Sequence, residues 1–206
     1  MVWDRLRDLI LERFPDDPHF QLSRVVAWTW GRDGEPMRNV RRRDADDRRP
    51  ARRAPQLEAL VTLEPLTSSA DVGAEAWLRV GLVHFSVDDF ASALRAFESA
   101  QPIPVEPWIK YLAHFNAARS LERLSRRDDA VREYRNALEV VPDAESAAIA
   151  LASVQFMHDD RDAAVSLLDR VFNRSARPDD PFRLAGYGSF VRWPALKSAM
   201  RKALPR

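Results

Sequence analysis

The chain has 206 residues, a formal net charge of +1, 46% hydrophobic and 31% charged content, which suits one soluble domain or one short repeat array and leaves no global field to select nucleic acid or a membrane surface. It has no cysteine, so a disulfide framework, thiolate zinc sites and a cysteine nucleophile are excluded together. No window approaches about 18 consecutive apolar residues, so no transmembrane helix is expected.

The amino-terminal stretch "MVWDRLRDLILERF" alternates charged and apolar residues and lacks the basic start, continuous apolar run and small-residue cleavage site of an export signal. The cytoplasm is therefore the default expectation, with export left open if Met1 is not the true start and the chain is the tail of a longer polypeptide. Val2, Trp3, Leu6, Leu9, Ile10 and Phe14 share one helical face, "PDDP" at 15–18 reads as a junction, and a second helix is predicted from His19 to Trp30. Residues 31–54 follow. With the proline that ends it, this stretch holds nine arginines, five acids and three prolines, a composition that cannot bury a core and predicts an inserted loop. Helical pattern resumes from Gln56 to Leu66.

From Ala74 a period emerges. The residues run Trp77, Val80-Gly81, His84, Ala93, Phe97, Ala100 and Pro104; an offset of 37 gives His114, Ala117-Ala118, Leu121, Ala130, Tyr134 and Ala137, with Pro142 closing the unit. A further offset of 34 gives Ala148, Leu151-Ala152, Gln155, Ala164, Leu168 and Val171, the closing proline slipping to Pro178. Each unit, about 74–107, 111–144 and 145–178, holds two amphipathic helices that must lie antiparallel across a short turn. The small residues Gly81, Ala93, Ala100, Ala118, Ala130, Ala137, Ala152 and Ala164 mark the closest approach of helix axes, and Trp77, Phe97, Tyr134 and Leu168 fill the space beside them.

This pattern of Trp, then an apolar residue and Gly, then an Ala with an aromatic four later, then Pro, resembles the tetratricopeptide repeat (TPR). "AEAWLRVGLVHFSVDDFASALRAFESA" differs by Val80 for Leu and His84 for Tyr, "RRDDAVREYRNALEVVP" matches the second helix of the motif closely, and the third unit keeps the alanines without the aromatics. The resemblance covers residues 73–176 and implies an all-α fold, a right-handed α-α superhelix of helical hairpins. Residues 1–72 then read as degenerate TPR-like helices bearing the inserted loop. At the carboxyl end, "GYGSF" forms a turn and the amphipathic segment Trp193–Leu204 a capping helix over the apolar face of the last hairpin.

No catalytic set is found along the chain. Five Asp-Asp pairs, at 16/17, 88/89, 128/129, 159/160 and 179/180, fall at predicted helix junctions, where they are expected to cap free N–H groups. The histidines at 19, 84, 114 and 158 form no metal-binding motif; a pairing of His84 with His114 across adjacent units is the one open arrangement. "GYGSF" lacks the second glycine of a nucleophile elbow and the third of a dinucleotide fingerprint. The Arg-rich loop has guanidinium groups for phosphate but no aromatics for stacking on bases.

In TPR stacks the first helix of each unit lines the concave face. The resemblance thereby implies a peptide-binding surface made of Leu78, Arg79, Leu82 and Phe85, then Phe115, Asn116, Arg119, Glu122 and Arg123, then Ile149, Ser153, Phe156 and Met157. Apolar anchors beside a basic cluster suit a peptide with hydrophobic residues and some acidic character. Of the positions used by TPR proteins that clamp a terminal carboxylate, only Asn116 fits. The expected function is a non-catalytic scaffold or adaptor for a protein or peptide partner, with no cofactor and no metal. Self-association through the first helix and nucleic-acid or anion binding through the Arg-rich loop are the alternatives.

Overall fold

Each hairpin is built around the same way of ending its first helix. In the computed structural model, which describes residues 17–18, 21–22, 59–142, 144–158, 160–173 and 180–184, all regular structure among these residues is helical. The elements are α1 (Gly73–Ser86), α2 (Phe90–Ala100), α3 (Pro107–Arg123), α4 (Arg127–Val140), α5 (Glu145–Met157), α6 (Arg161–Phe172) and the short α7 (Pro181–Leu184); residues 59–66 are helical before them. Helices over 2–14 and 19–30 (apart from Gln21 and Leu22, which are helical), the loop 31–54, the "GYGSF" turn and the cap Trp193–Leu204 lie outside the described residues.

The backbone repeats with the sequence. The N–H groups of Asp89, Arg126 and Asp160 donate to the carbonyls of His84, Leu121 and Gln155 at 3.0, 2.8 and 3.1 Å. These six-to-one bonds close the last turns of α1, α3 and α5 as Schellman motifs do. In the first two the intervening residue is left-handed, Asp88 at φ 63° and Ser125 at φ 61°, and the two lie one repeat offset apart. The N–H groups of Ala93, Ala130 and Ala164 then donate to the carbonyls of Asp89, Arg126 and Asp160, which starts the second helix at the next residue. A turn this tight leaves the two helices no choice but to pack against each other, and α1 with α2, α3 with α4 and α5 with α6 do so.

Small side chains sit where the axes meet. Ala93, Ala100, Ala118, Ala130 and Ala137 are 0% exposed, and Ala152 and Ala164 are 2% exposed. A Cβ added at Gly81 would run into the Phe97 ring, including a contact of 2.8 Å with Cζ, so glycine is the residue that lets α2 lie on α1. Phe97 and Tyr134 are buried, whereas Trp77 and Leu168 are only half-buried at the edges of the packing. Successive hairpins add through α2 against α3 and α4 against α5, so one apolar cluster runs from Ala74 to Leu167. A second cluster joins Leu22, Ala59, Leu63 and Leu66 to Val72 at the N-cap of α1, to Ala76, Val80 and Val83 on α1 and to Ala96 on α2, which ties the preceding helical segment to the first hairpin.

The expectation that each Asp-Asp pair caps a helix needs correction. Asp89 does cap α2, its Oδ1 accepting the Ser92 N–H at 3.1 Å. At α4 the N-cap residue is Arg126, and Asp128 and Asp129 lie inside the first turn. There they meet the positive end of the helix dipole, and Asp129 pairs with Arg126 and Arg132. Asp160 holds the N-cap position of α6 without a side-chain bond. Asp180 caps its own short helix α7, its Oδ1 accepting the Phe182 N–H at 2.9 Å, and caps a second helix as well, as described below. His84 and His114 take separate carboxylate partners: Nδ1 of His84 is 3.3 Å from the Asp89 carboxylate, and Nδ1 of His114 is 2.8 Å from Oε2 of Glu133. Among the described residues no helix is long and apolar enough to cross a membrane and no group of acids and histidines is placed to hold a metal ion.

Candidate functional site

The first helices α1, α3 and α5 line one cleft of about 590 Å³, closed on one side by α7. Its walls include Phe85 of α1, Phe115, Arg119, Glu122 and Arg123 of α3, Ile149 and Ser153 of α5, and Phe182 of α7. Seven of the residues expected on the concave face are thus brought together. Aromatic rings form its floor: Phe115 stacks on Tyr111 with centroids 5.8 Å apart, and lies 5.7 Å from Tyr134 and 4.6 Å from Phe182.

Arg119 stands in the middle of these rings. Its guanidinium carbon is 4.6 Å from the centroid of Phe85, 5.3 Å from that of Phe182 and 5.9 Å from that of Phe115. Cation–π attraction holds a planar guanidinium between such faces, and partial desolvation strengthens it. Nη1 also donates to Oδ1 of Asn116 at 3.0 Å. Burial lowers the Arg119 pKa from its ordinary value, with Tyr134 and Glu122 acting in the opposite sense, and the group remains a cation at any physiological pH. Burial and a hydrogen bond to Glu122 raise the pKa of the Tyr134 hydroxyl, which keeps that hydroxyl a neutral donor. At the rim Arg123 covers the Phe90 ring at 4.4 Å and lies 3.6 Å from Asp88. The cleft therefore offers one semi-buried cation among rings, a second cation in solvent, and the apolar Ile149.

Other expected members lie elsewhere. Leu78 is 0% exposed and belongs to the apolar cluster with Phe97 and Leu112. Arg79 is 3% exposed and paired with Glu75 at 3.0 Å. Asn116 is buried, with Nδ2 donating to the Leu112 carbonyl one turn back at 2.8 Å. These three are buried in the packing of the helices and do not line the cleft. Leu82 packs half-buried against the core and does not line the cleft. Phe156 and Met157 are exposed at the end of α5, beyond the cleft, with Arg161 over the Phe156 ring. Asn116, the one position that matched a terminal-carboxylate clamp, is thus not on the surface.

Sequence reasoning missed Tyr134, Ser146, Ala150, Asp180 and Phe182. The one available signal was that "PDDP" at 178–181 runs straight into an aromatic residue instead of a charged helix start.

The fold is similar to that of MamA. One crystal structure of MamA matches with a TM-score of 0.57 at 16% identity, covering 82% of this chain and 84% of that one. A second crystal structure of MamA gives 0.55 at 16% identity, covering 82% and 79%, and MamA from Desulfovibrio magneticus RS-1, residue 41 to the end, gives 0.52 at 14% identity, covering 84% and 92%. No protein-family model and no curated protein matches the sequence. At such identities the likeness speaks for architecture alone: an all-helical solenoid of the TPR type.

Proposed function

We propose that the chain is a non-catalytic TPR-type scaffold or adaptor that holds a protein or peptide segment in the cleft between α1, α3 and α5. Phe85, Phe115, Arg119, Glu122, Arg123, Ile149 and Ser153 form the binding surface in this reading. Residues 74–107, 111–144 and 145–178 act as three repeats, preceded by degenerate helices in 1–72 and closed by 177–206. The observation that carries the proposal is the placement of Arg119, a cation held among three aromatic rings at the wall of an open cleft. Buried arginine and aromatic side chains at the centre of a concavity are the groups that dominate binding energy at protein interfaces. The chemistry they favour is a segment with apolar or aromatic anchors and a negative charge.

Ser153 gives the test. It is exposed on α5 and lines the cleft, so Ser153→Trp fills the site without entering the core. Peptides selected from a displayed library on the wild-type chain are expected to lose about tenfold or more in affinity for Ser153→Trp, with the thermal midpoint unchanged. Equal affinity for both proteins would remove the cleft from the account.

A further inference from the structure

The cleft already holds a piece of its own chain. Asp180 is only 4% exposed although it carries a carboxylate. Its Oδ1 accepts the Tyr111 hydroxyl at 3.2 Å and the Phe182 N–H at 2.9 Å, and its Oδ2 accepts the Ser146 N–H at 2.6 Å. Ser146 lies in the first turn of α5, where the N-cap residue Ala144 has no side chain able to accept a hydrogen bond. A carboxylate 34 residues further along the chain thus supplies the cap that α5 lacks, in a place where backbone N–H groups and the helix dipole favour negative charge. Burial first, and then Asp180, raises the pKa of the Tyr111 hydroxyl, which fixes that hydroxyl as a donor to the carboxylate.

Two residues on, the Phe182 ring enters the aromatic part of the cleft. It sits against Phe115, and the Arg119 guanidinium lies close to the rings of both Phe182 and Phe85. The segment therefore makes two distinct contacts: a carboxylate in a polar socket and a ring in a cationic aromatic box. Pro181 between them restricts φ and lowers the entropy lost on holding both. Neither contact belongs to the repeats' own packing, since both reach from outside them onto the first helices α3 and α5.

We propose that socket and box together form a recognition site for a partner polypeptide carrying an acidic residue followed two positions later by an aromatic one, and that Asp180-Pro181-Phe182 is its resident competitor. The inference rests on the reading of the cleft as a peptide-binding site and adds the pattern that the cleft reads. A tethered segment acts at an effective concentration in the millimolar range. A free segment with the same two anchors therefore binds the wild-type chain with an apparent affinity reduced by the occupied fraction, and a natural partner must add contacts to the open part of the cleft near Ile149 and Ser153.

The probe is a labelled peptide of residues 176–187, titrated by fluorescence polarisation into the full chain and into the full chain carrying Asp180→Ala and Phe182→Ala. The double variant is expected to bind the peptide at least about tenfold more tightly than the wild type. Changing either Asp180 or Phe182 to alanine within the peptide is expected to weaken that binding by about tenfold. Equal binding to both proteins, or indifference to the alanine changes in the peptide, would overturn the proposal. If the double variant loses helicity, the wild-type chain answers the same question by hydrogen exchange: excess peptide accelerates exchange at the Phe182 amide while the Ser146 amide stays protected, and an unchanged Phe182 rate counts against the proposal. Library peptides that bind in a Ser153-dependent way without the acid-x-aromatic pattern would overturn this inference and leave the cleft reading intact. Absence of any Ser153-dependent binding would overturn both.

Discussion

Arg79 and Arg119 both lie on first helices of adjacent hairpins, yet they belong to different regions of the molecule. Arg79 is sealed inside α1's packing surface, its Nη2 held by Glu75 one turn earlier, with both side chains almost wholly buried. Arg119 is half-buried at the wall of the cleft and is held mainly by ring faces. In the hairpin interior, charge is neutralised locally and small residues recur at fixed stations. In the cleft, Phe115, Phe182 and the Arg119 cation stand at positions that do not recur from one hairpin to the next, and only Tyr134 keeps a repeat station, that of Phe97. The periodic part of the sequence sets the shape, and the aperiodic part gives that shape something to recognise.

The division can be broken most forcefully at Glu75. Glu75→Ala leaves the Arg79 cation buried without its partner and is expected to cost about 3 to 5 kcal/mol, read by urea denaturation. Replacing the pair together, Glu75→Leu with Arg79→Met, is expected to restore most of that stability, because two desolvated charges are exchanged for packing. Failure of the double variant to recover would place Arg79 among groups that need their charge, as Arg119 does. Gly81→Val comes next. Its added atoms meet the Phe97 ring, and overpacking of this kind costs about 1 to 3 kcal/mol. The folded fraction is expected to keep its affinity for cleft peptides, since Gly81 lies in the interior. The smallest effect is expected at Ser125, whose left-handed backbone suits glycine better. Ser125→Gly should stabilise by about 0.5 to 1 kcal/mol, visible as a higher thermal midpoint with binding unchanged.

The sequence carried the interior well, and for a physical reason. Close approach of two helices tolerates only small side chains, so Gly81, Ala93, Ala130 and Ala164 recur visibly, and the tight turns at Asp88 and Ser125 follow from the same spacing. The face of a helix that stays uncovered is a subtler matter. It depends on crossing angles between neighbours, which is why Leu78, Arg79 and Asn116, on the same helices as true cleft residues, lie buried instead. Asp180 shows a second limit. Its residue type announced a helix cap, which it supplies to α7, but it also caps α5, reached only after the chain folds back. Phe182 meets Phe115 across 67 positions of non-repeating sequence, and no local period encodes such a contact.

The central claim is that recognition resides in the cleft and not on the outer helices. Amide chemical-shift mapping on the chain carrying Asp180→Ala and Phe182→Ala, with the 176–187 peptide added, tests it most directly. The account predicts that the perturbed amides gather on the cleft side of α1, α3 and α5, around Phe85, Arg119, Ser146 and Ser153. Perturbations concentrated on α2, α4 and α6 would contradict it.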